Sequence, residues 1–322
     1  MTKKLFSNRL NLLLLIVAIP FFLPFDSSVF GSEQLFPSAI IKLPDNETAI
    51  LVEKKNQTLF LYASRDNNLF VQFQAPCSTG EAVGVKQKAG DKKTPEGIYF
   101  LKDEYEDKYL SPIYGKKAFP TDYPNFMDKR SGKKGSAIWI HGTNKELKPM
   151  DSNGCIALEN SNVVKLSNYV TLNSTPVIMV EEIDKIDRET LIKQEENITR
   201  MLSQWINAIE KGSYHEYLSF YSSEYLPDIS WWDQWVEIRK RADNMGSNLR
   251  VKRDRTGIYY HDRVFVVVFD YFLTFENKKI LVGKRKLFLE NQNTSYKIMG
   301  DVFQKTKTPL MTAAKTLVEP DL

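Results

Sequence analysis

Two neighbouring stretches decide how this chain reads: Ile140-His141-Gly142-Thr143 and Asp151-Ser152-Asn153-Gly154-Cys155-Ile156. Gly154 lets the backbone bend sharply just before the sulfur and leaves the N–H groups around it unobstructed. The apolar run at residues 137–140 reads as a strand, so His141 is expected to emerge at a strand end. The loop at residues 143–151 is long enough to return the chain beside it, so the spacing permits His141 and Cys155 to be neighbours. A cysteine acyl-transfer site needs that juxtaposition, a thiolate with a base in reach and backbone N–H groups aimed at the oxyanion.

Working outward, residues 36–180 read as β-rich, with strand candidates at 48–53, 58–62, 69–73, 97–101, 137–141 and 177–180 separated by Gly- and Pro-marked turns. One short helix is expected over 160–169. The composition changes near residue 181. A charged connector leads into an amphipathic helix over 189–211, with Leu191, Ile198, Leu202, Trp205 and Ile209 on one face and Gly212 as its stop. Helices over 214–221 and 231–242 follow. Strand candidates come next at 248–253, 257–275 (split by a turn at His261-Asp262), 279–290 and 294–304. Helices followed by a run of antiparallel strands predict an α+β domain.

Composition excludes several classes. The formal charge is +4, half of it from Lys3, Lys4 and Arg9 against Asp26 before residue 32, so no basic footprint for nucleic acid remains. The clusters Lys86-Gln87-Lys88 and Lys92-Lys93 read as solvated loop faces. Three scattered histidines and two cysteines show no metal-ligand spacing, so no metal site is expected. His215 falls on a predicted helix and His261 in a turn, and both are expected at the surface. Residues 1–31, a basic start followed by an apolar run, read as a secretory signal peptide, with an uncleaved anchor as the competing reading. No stable membrane insertion is expected beyond that segment, and export places the protein in the periplasm. An oxidising compartment allows a Cys77–Cys155 disulfide, which would suit a non-catalytic wall-binding module. Against it, a chain of this size needs no staple, and Cys77 reads as a buried strand residue.

The two stretches resemble the signature of the L,D-transpeptidase (YkuD-domain) family. Upstream, Ser78-Thr79-Gly80 and Gly90-Asp91-Lys92-Lys93-Thr94-Pro95-Glu96-Gly97-Ile98-Tyr99 resemble its first characteristic segment. The resemblance covers roughly residues 45–180. It implies a mainly β catalytic domain, a YkuD-like β-sandwich that uses no cofactor and acts on peptidoglycan stem peptides. In such enzymes a cysteine attacks the carbonyl at the L centre of the third, diamino-acid residue, and the terminal D-alanine leaves. By motif position Cys155 would be the nucleophile, His141 the general base and acid, and the Gly142 carbonyl the group that orients the imidazole. The N–H groups of Gly154 and Cys155 would form the oxyanion hole, each such donor being worth about 3 kcal/mol, with Asn153 and Ser152 beside the substrate.

Two positions depart from the family pattern: Asn153 stands where a histidine is usual, and Ala157 where an arginine is usual. Asn153 keeps hydrogen bonding but cannot titrate. Loss of the arginine removes a fixed cation for a stem-peptide carboxylate, which Lys145, Lys148 or Lys93 could replace.

The second half resembles, more loosely, the NTF2-like fold. The pairing is similar to a subgroup related to helical-cell-shape L,D-carboxypeptidases, which trim tetrapeptide stems rather than cross-link them. Trp231, Trp232 and Trp235 are either core or the lining of a pocket able to hold a glycan strand or a peptide stem. The resulting organisation is a signal peptide at 1–31, an N-terminal extension at 32–44, a catalytic domain at 45–181, a linker at 182–189, an NTF2-like domain at 190–305 and a tail at 306–322. General family activity favours transfer of the acyl group to an amine, giving a 3-3 cross-link. The domain pairing favours transfer to water.

Overall fold

The computed structural model describes residues 34–244, 249–275, 278–292 and 295–305. The expected signal peptide at 1–31 and the expected tail at 306–322 lie outside the described residues.

Thr48–Glu53 (TAILVE) is apolar on both faces and buried at five consecutive positions. A strand can bury both faces only at the centre of a layered structure, and here it lies mid-sheet. The order of that five-stranded sheet is Asn68–Pro76, Thr58–Arg65, Thr48–Glu53, Pro176–Val180, Gly97–Phe100. One face packs Ile50, Val52, Leu59, Leu61 and Val177 against Phe119, Ile140, Ile156 and Leu158 of a four-stranded sheet. This is the expected β-sandwich. The other face packs Leu51, Ile98, Phe100 and Ile178 against Ile40, Tyr259, Val266, Val268 and Phe288 of a third sheet.

That third sheet belongs to the α+β half. Its order is Ser295–Lys305, Lys278–Gln292, Val264–Phe275, Arg250–His261, Ile40–Lys42. The pairs are antiparallel, and a bulge between Asp254 and Gly257 bends the fourth strand. Ile40–Lys42, from ahead of the β-sandwich, thus closes the edge of the other half's sheet, while Phe36–Pro37 pairs with Lys185–Ile186. Helix Arg188–Lys211 starts where Asp187 accepts the Thr190 N–H at 2.7 Å, and it ends at Gly212 in the left-handed conformation. With helices Tyr214–Ser219 and Ile229–Asn244 it covers the sheet's free face.

One open alternative is decided here and one expectation needs correction. Of the two readings of Trp231, Trp232 and Trp235, the core one holds: all three are buried in the cluster between the helices and the sheet. Trp235 Nε1 donates to the Ile209 carbonyl at 2.7 Å. The buried Arg285 guanidinium lies 4.3 Å from the centre of the Trp231 ring, also faces Trp205, Tyr271 and Phe303, and is paired with Asp301 at 3.0 Å. A buried cation is tolerated when its charge is paired and aromatic faces surround it. His261, expected at the surface, is half-buried beside Glu96 and Asp128 at the seam between the two halves, whereas His215 is exposed.

Candidate active site

The site grows from the pairing of two short strands. Ile156–Glu159 runs parallel to Trp139–Thr143, with Ile156 opposite Ile140 and Ala157 opposite His141. Strand alternation turns Ile140 and Ile156 into the core. Trp139, His141 and Ala157 are therefore turned to the opposite face, and Cys155, one residue before the strand, lines the same cavity as His141. The strand runs on through Gly142 and Thr143, so His141 sits inside it rather than at its end. The parallel partner reaches as far as Thr143 and extends the ladder.

His141 is buried and its Nδ1 lies 2.6 Å from the Gly142 carbonyl oxygen. A carbonyl only accepts, so Nδ1 carries the proton and the Nε2 lone pair is left free as a base. The Tyr114 ring stands edge-on to the imidazole at 5.0 Å and also packs on Trp139. Gly142 has to be glycine, since a Cβ there would come within 2.3 Å of Asn160 Oδ1.

The turn that carries Cys155 is built by hydrogen bonds. Ser152 Oγ accepts the Gly154 N–H at 3.1 Å and donates to the Cys155 carbonyl at 2.7 Å. Of the two N–H groups assigned to an oxyanion hole, that of Gly154 is thus engaged in the turn. Among the described residues the Cys155 N–H has no protein partner. Thr94 Oγ1 donates to the Gly154 carbonyl and accepts the Gly80 N–H, tying the upstream motif to the turn. Gln57 Oε1 accepts from both Thr79 and Met150 N–H and fixes the loop's other end. Neither Thr94 nor Gln57 was assigned a role from the sequence. Thr94 stood inside a quoted motif, but Gln57 carries no local signal. Asn153 is exposed and, among the described residues, its side chain makes no hydrogen bond.

Gly154 has φ +118°, and a Cβ there would meet Lys93 O at 2.6 Å. Gly154→Ala is expected to destabilise the fold by about 1–3 kcal/mol through backbone strain and overpacking. It should also slow thiol alkylation, as urea unfolding and alkylation rates would read.

Both cysteines are free, so the disulfide reading fails. Burial pushes the Cys77 thiol up to about 12. Cys155 Sγ donates to the Ala137 carbonyl at 3.4 Å. Burial raises its pKa, opposed by the Trp139 backbone N–H and the charge of Lys86. Lys86, expected on a solvated loop face, is instead buried and paired with Asp91 at 2.7 Å. Asp91 also accepts the backbone N–H groups of Gln87, Lys88 and Lys93. Burial pushes the Asp91 carboxyl up, but these bonds outweigh it and hold it well below the ordinary range. The Gly90–Lys93 loop therefore folds around one buried ion pair.

Cys155, His141, Ser152, Asn153 and Asp151 line one open cavity of about 330 Å³, together with Tyr114, Thr143, Lys145 and Lys148. Lys93 lies outside that lining. Burial lowers the His141 pKa, opposed by the Gly142 carbonyl. The resting pair is accordingly a neutral thiol and a neutral imidazole, and the base must be neutral to act. Any thiol-dependent turnover should therefore fall with pH along a limb whose midpoint lies below the ordinary 6.5 of histidine and stay level through neutrality, a sign that a kcat/KM profile reads directly.

The family model that describes the YkuD L,D-transpeptidase catalytic domain matches residues 47–179. Over those residues the chain resembles a YkuD domain. YafK of Escherichia coli K12, which carries an L,D-transpeptidase name, is 29% identical over 123 residues, 38% of this chain and 46% of YafK. The chain thus matches about half the length of that curated relative. Two solved structures match across both halves. Bd1075 of Bdellovibrio bacteriovorus aligns with a TM-score of 0.70 at 23% identity, covering 85% of this chain and 99% of Bd1075. The helical cell shape determining protein Pgp2 of Campylobacter jejuni aligns with a TM-score of 0.62 at 26% identity, covering 83% and 95%. The β-sandwich half and the α+β half therefore recur together as one architecture.

Proposed function

We propose that this protein is an exported, cysteine-dependent acyl-transfer enzyme of peptidoglycan stem peptides. The observation that carries the proposal is a free Cys155 and a correctly tautomerised His141 lining one open cavity within a YkuD domain. His141 Nε2 takes the Cys155 proton as the sulfur attacks the carbonyl of the third residue. The tetrahedral oxyanion is met by the Cys155 N–H. Collapse expels the amine of the terminal D-alanine, which receives the proton from His141. An acceptor then gives its proton to His141 and attacks the thioester, restoring the thiol. An amine acceptor yields a 3-3 cross-link. Water yields a trimmed stem, the reading supported by the match across both halves to a helical cell shape determining protein. The helices laid over an antiparallel sheet support an NTF2-like reading of the second half, and periplasmic action follows from the signal-like residues 1–31.

Incubation with purified tetrapeptide muropeptides tests the proposal by mass. Loss of one alanine without dimers means hydrolysis, and a dimer joined between third residues means cross-linking. An unchanged substrate contradicts the proposal.

Ala157 provides no cation, and among the described residues the Lys145 ammonium has no salt-bridge partner while it lines the cavity. Lys148, by contrast, lies 3.6 Å from Glu146. Lys145→Ala is expected to raise KM by about tenfold with kcat nearly kept, the loss of one exposed charge contact. The effect should vanish on a substrate whose terminal carboxylate is amidated.

A further inference from the structure

The backbone that touches the sulfur is held at its far end by the other half of the molecule. Ala137, whose carbonyl accepts the Cys155 S–H, is a non-glycine residue at φ +56°. Such a conformation costs about 1 kcal/mol and persists only where its surroundings impose it. Two residues on, the Trp139 N–H favours the thiolate.

The segment that ends there starts at Thr121, whose N–H and Oγ1 both donate to the Ile138 carbonyl. Asp122 follows. Its Oδ1 accepts the Phe100 N–H at 2.9 Å, and its Oδ2 accepts Lys286 Nζ at 2.9 Å. Lys286 lies on strand Lys278–Gln292 of the α+β half, with its ammonium 3.5 Å from the centre of the Phe100 ring. Phe126 then packs on Tyr225 and Phe288, each at 5.5 Å. Its seat exists because residue 300 is glycine, since a Cβ there would lie 2.4 Å from the Phe126 ring. Arg130 pairs with Glu224. On the return, Tyr123 OH reaches the Lys134 carbonyl and the Lys134 N–H donates to Gln87. Three consecutive anchors of this segment (Asp122, Phe126 and Arg130) thus rest on the α+β half. Close-packed interiors transmit such constraints because they cannot deform smoothly.

We propose that the α+β half sets the reactivity of Cys155, with Lys286 and Phe126 as positioning residues that act through residues 121–139 on the Ala137 carbonyl and the Trp139 N–H. The proposal rests on Cys155 being the nucleophile. It makes the second half part of the catalytic apparatus. Neither residue lines the catalytic cavity. The charged groups around the sulfur (Lys86 behind it, with His141, Glu81, Lys145, Glu146, Lys148 and Asp151 along the cavity) are untouched by changes at these two positions.

The test is the rate of alkylation of Cys155 by iodoacetamide across pH, in the full chain carrying Cys77→Ser. Lys286→Met and Phe126→Leu should each slow alkylation about tenfold at neutral pH and move the profile up by about one unit, because weakening the Trp139 contact lowers the thiolate fraction. Lys286→Arg should stay within about twofold of the parent. Circular dichroism and cooperative melting identify the folded variants, and hydrogen exchange at residues 121–130 reports the loosened seam. A folded Phe126→Leu or Lys286→Met protein with faster exchange at the seam but parental or faster alkylation overturns the proposal. The readout needs no peptidoglycan, so inactivity of the parent on muropeptides would sink the proposed function and leave this result standing.

Discussion

Cys155→Ala is expected to abolish turnover of tetrapeptide stems, a loss of about 10⁶-fold that reaches the uncatalysed background. The argument is chemical. The sulfur is the atom to which the acyl group is to be bonded, and no nearby group can replace it. Cys77 is buried with its thiol pushed up to about 12, so it offers neither access nor thiolate. The fold should survive. The turn is held by Ser152 Oγ, Thr94 Oγ1 and the glycine at 154, none of which depends on the sulfur. Removing one half-exposed sulfur should shift the unfolding free energy by no more than about 1 kcal/mol, as urea denaturation would show. Cys77→Ser should retain most activity. Equal losses in the two variants would mean that the assignment of roles to the two thiols is wrong.

His141→Ala is expected to cost about 10⁴-fold in kcat/KM. The cause is specific to this site: burial raises the Cys155 thiol, so little thiolate exists at neutral pH without a base. The sulfur rests against the Ala137 carbonyl rather than hydrogen-bonded to the imidazole, so the reactive pair forms when the side chain turns toward His141. The residual activity should climb with pH as the thiol ionises unaided and lose the acid limb below 6.5. A variant that kept that limb would place the titrating base elsewhere. His141→Gln should resemble it, since glutamine fills the space but accepts no proton.

Much of this was legible in the sequence because the deciding signals are local. The glycine before Cys155, the histidine ahead of a loop of workable length and the buried-strand pattern of Thr48–Glu53 each act over a few residues. The helix stop at Gly212 also read directly, since a left-handed C-terminal residue is what glycine provides. What escaped is non-local. Lys86 looked like a solvated charge because its partner Asp91 closes a loop that only the fold defines. Gln57 holds the loop before Cys155 from 93 residues away. Trp231, Trp232 and Trp235 leave both pocket and core open in sequence, because only the fold brings Arg285 of a distant strand against the Trp231 face and closes the cluster around it. Ile40–Lys42 looked like an extension because an edge strand of three residues has too short a pattern to name its sheet.

The most direct test of the central claim is a rapid acid quench of the protein mixed with a tetrapeptide muropeptide, followed by peptide mass mapping. The account predicts an acyl adduct of the substrate minus one alanine, carried by the peptide that contains Cys155 and absent from Cys155→Ala. Turnover with no adduct on that peptide, or an adduct on Cys77, would contradict it.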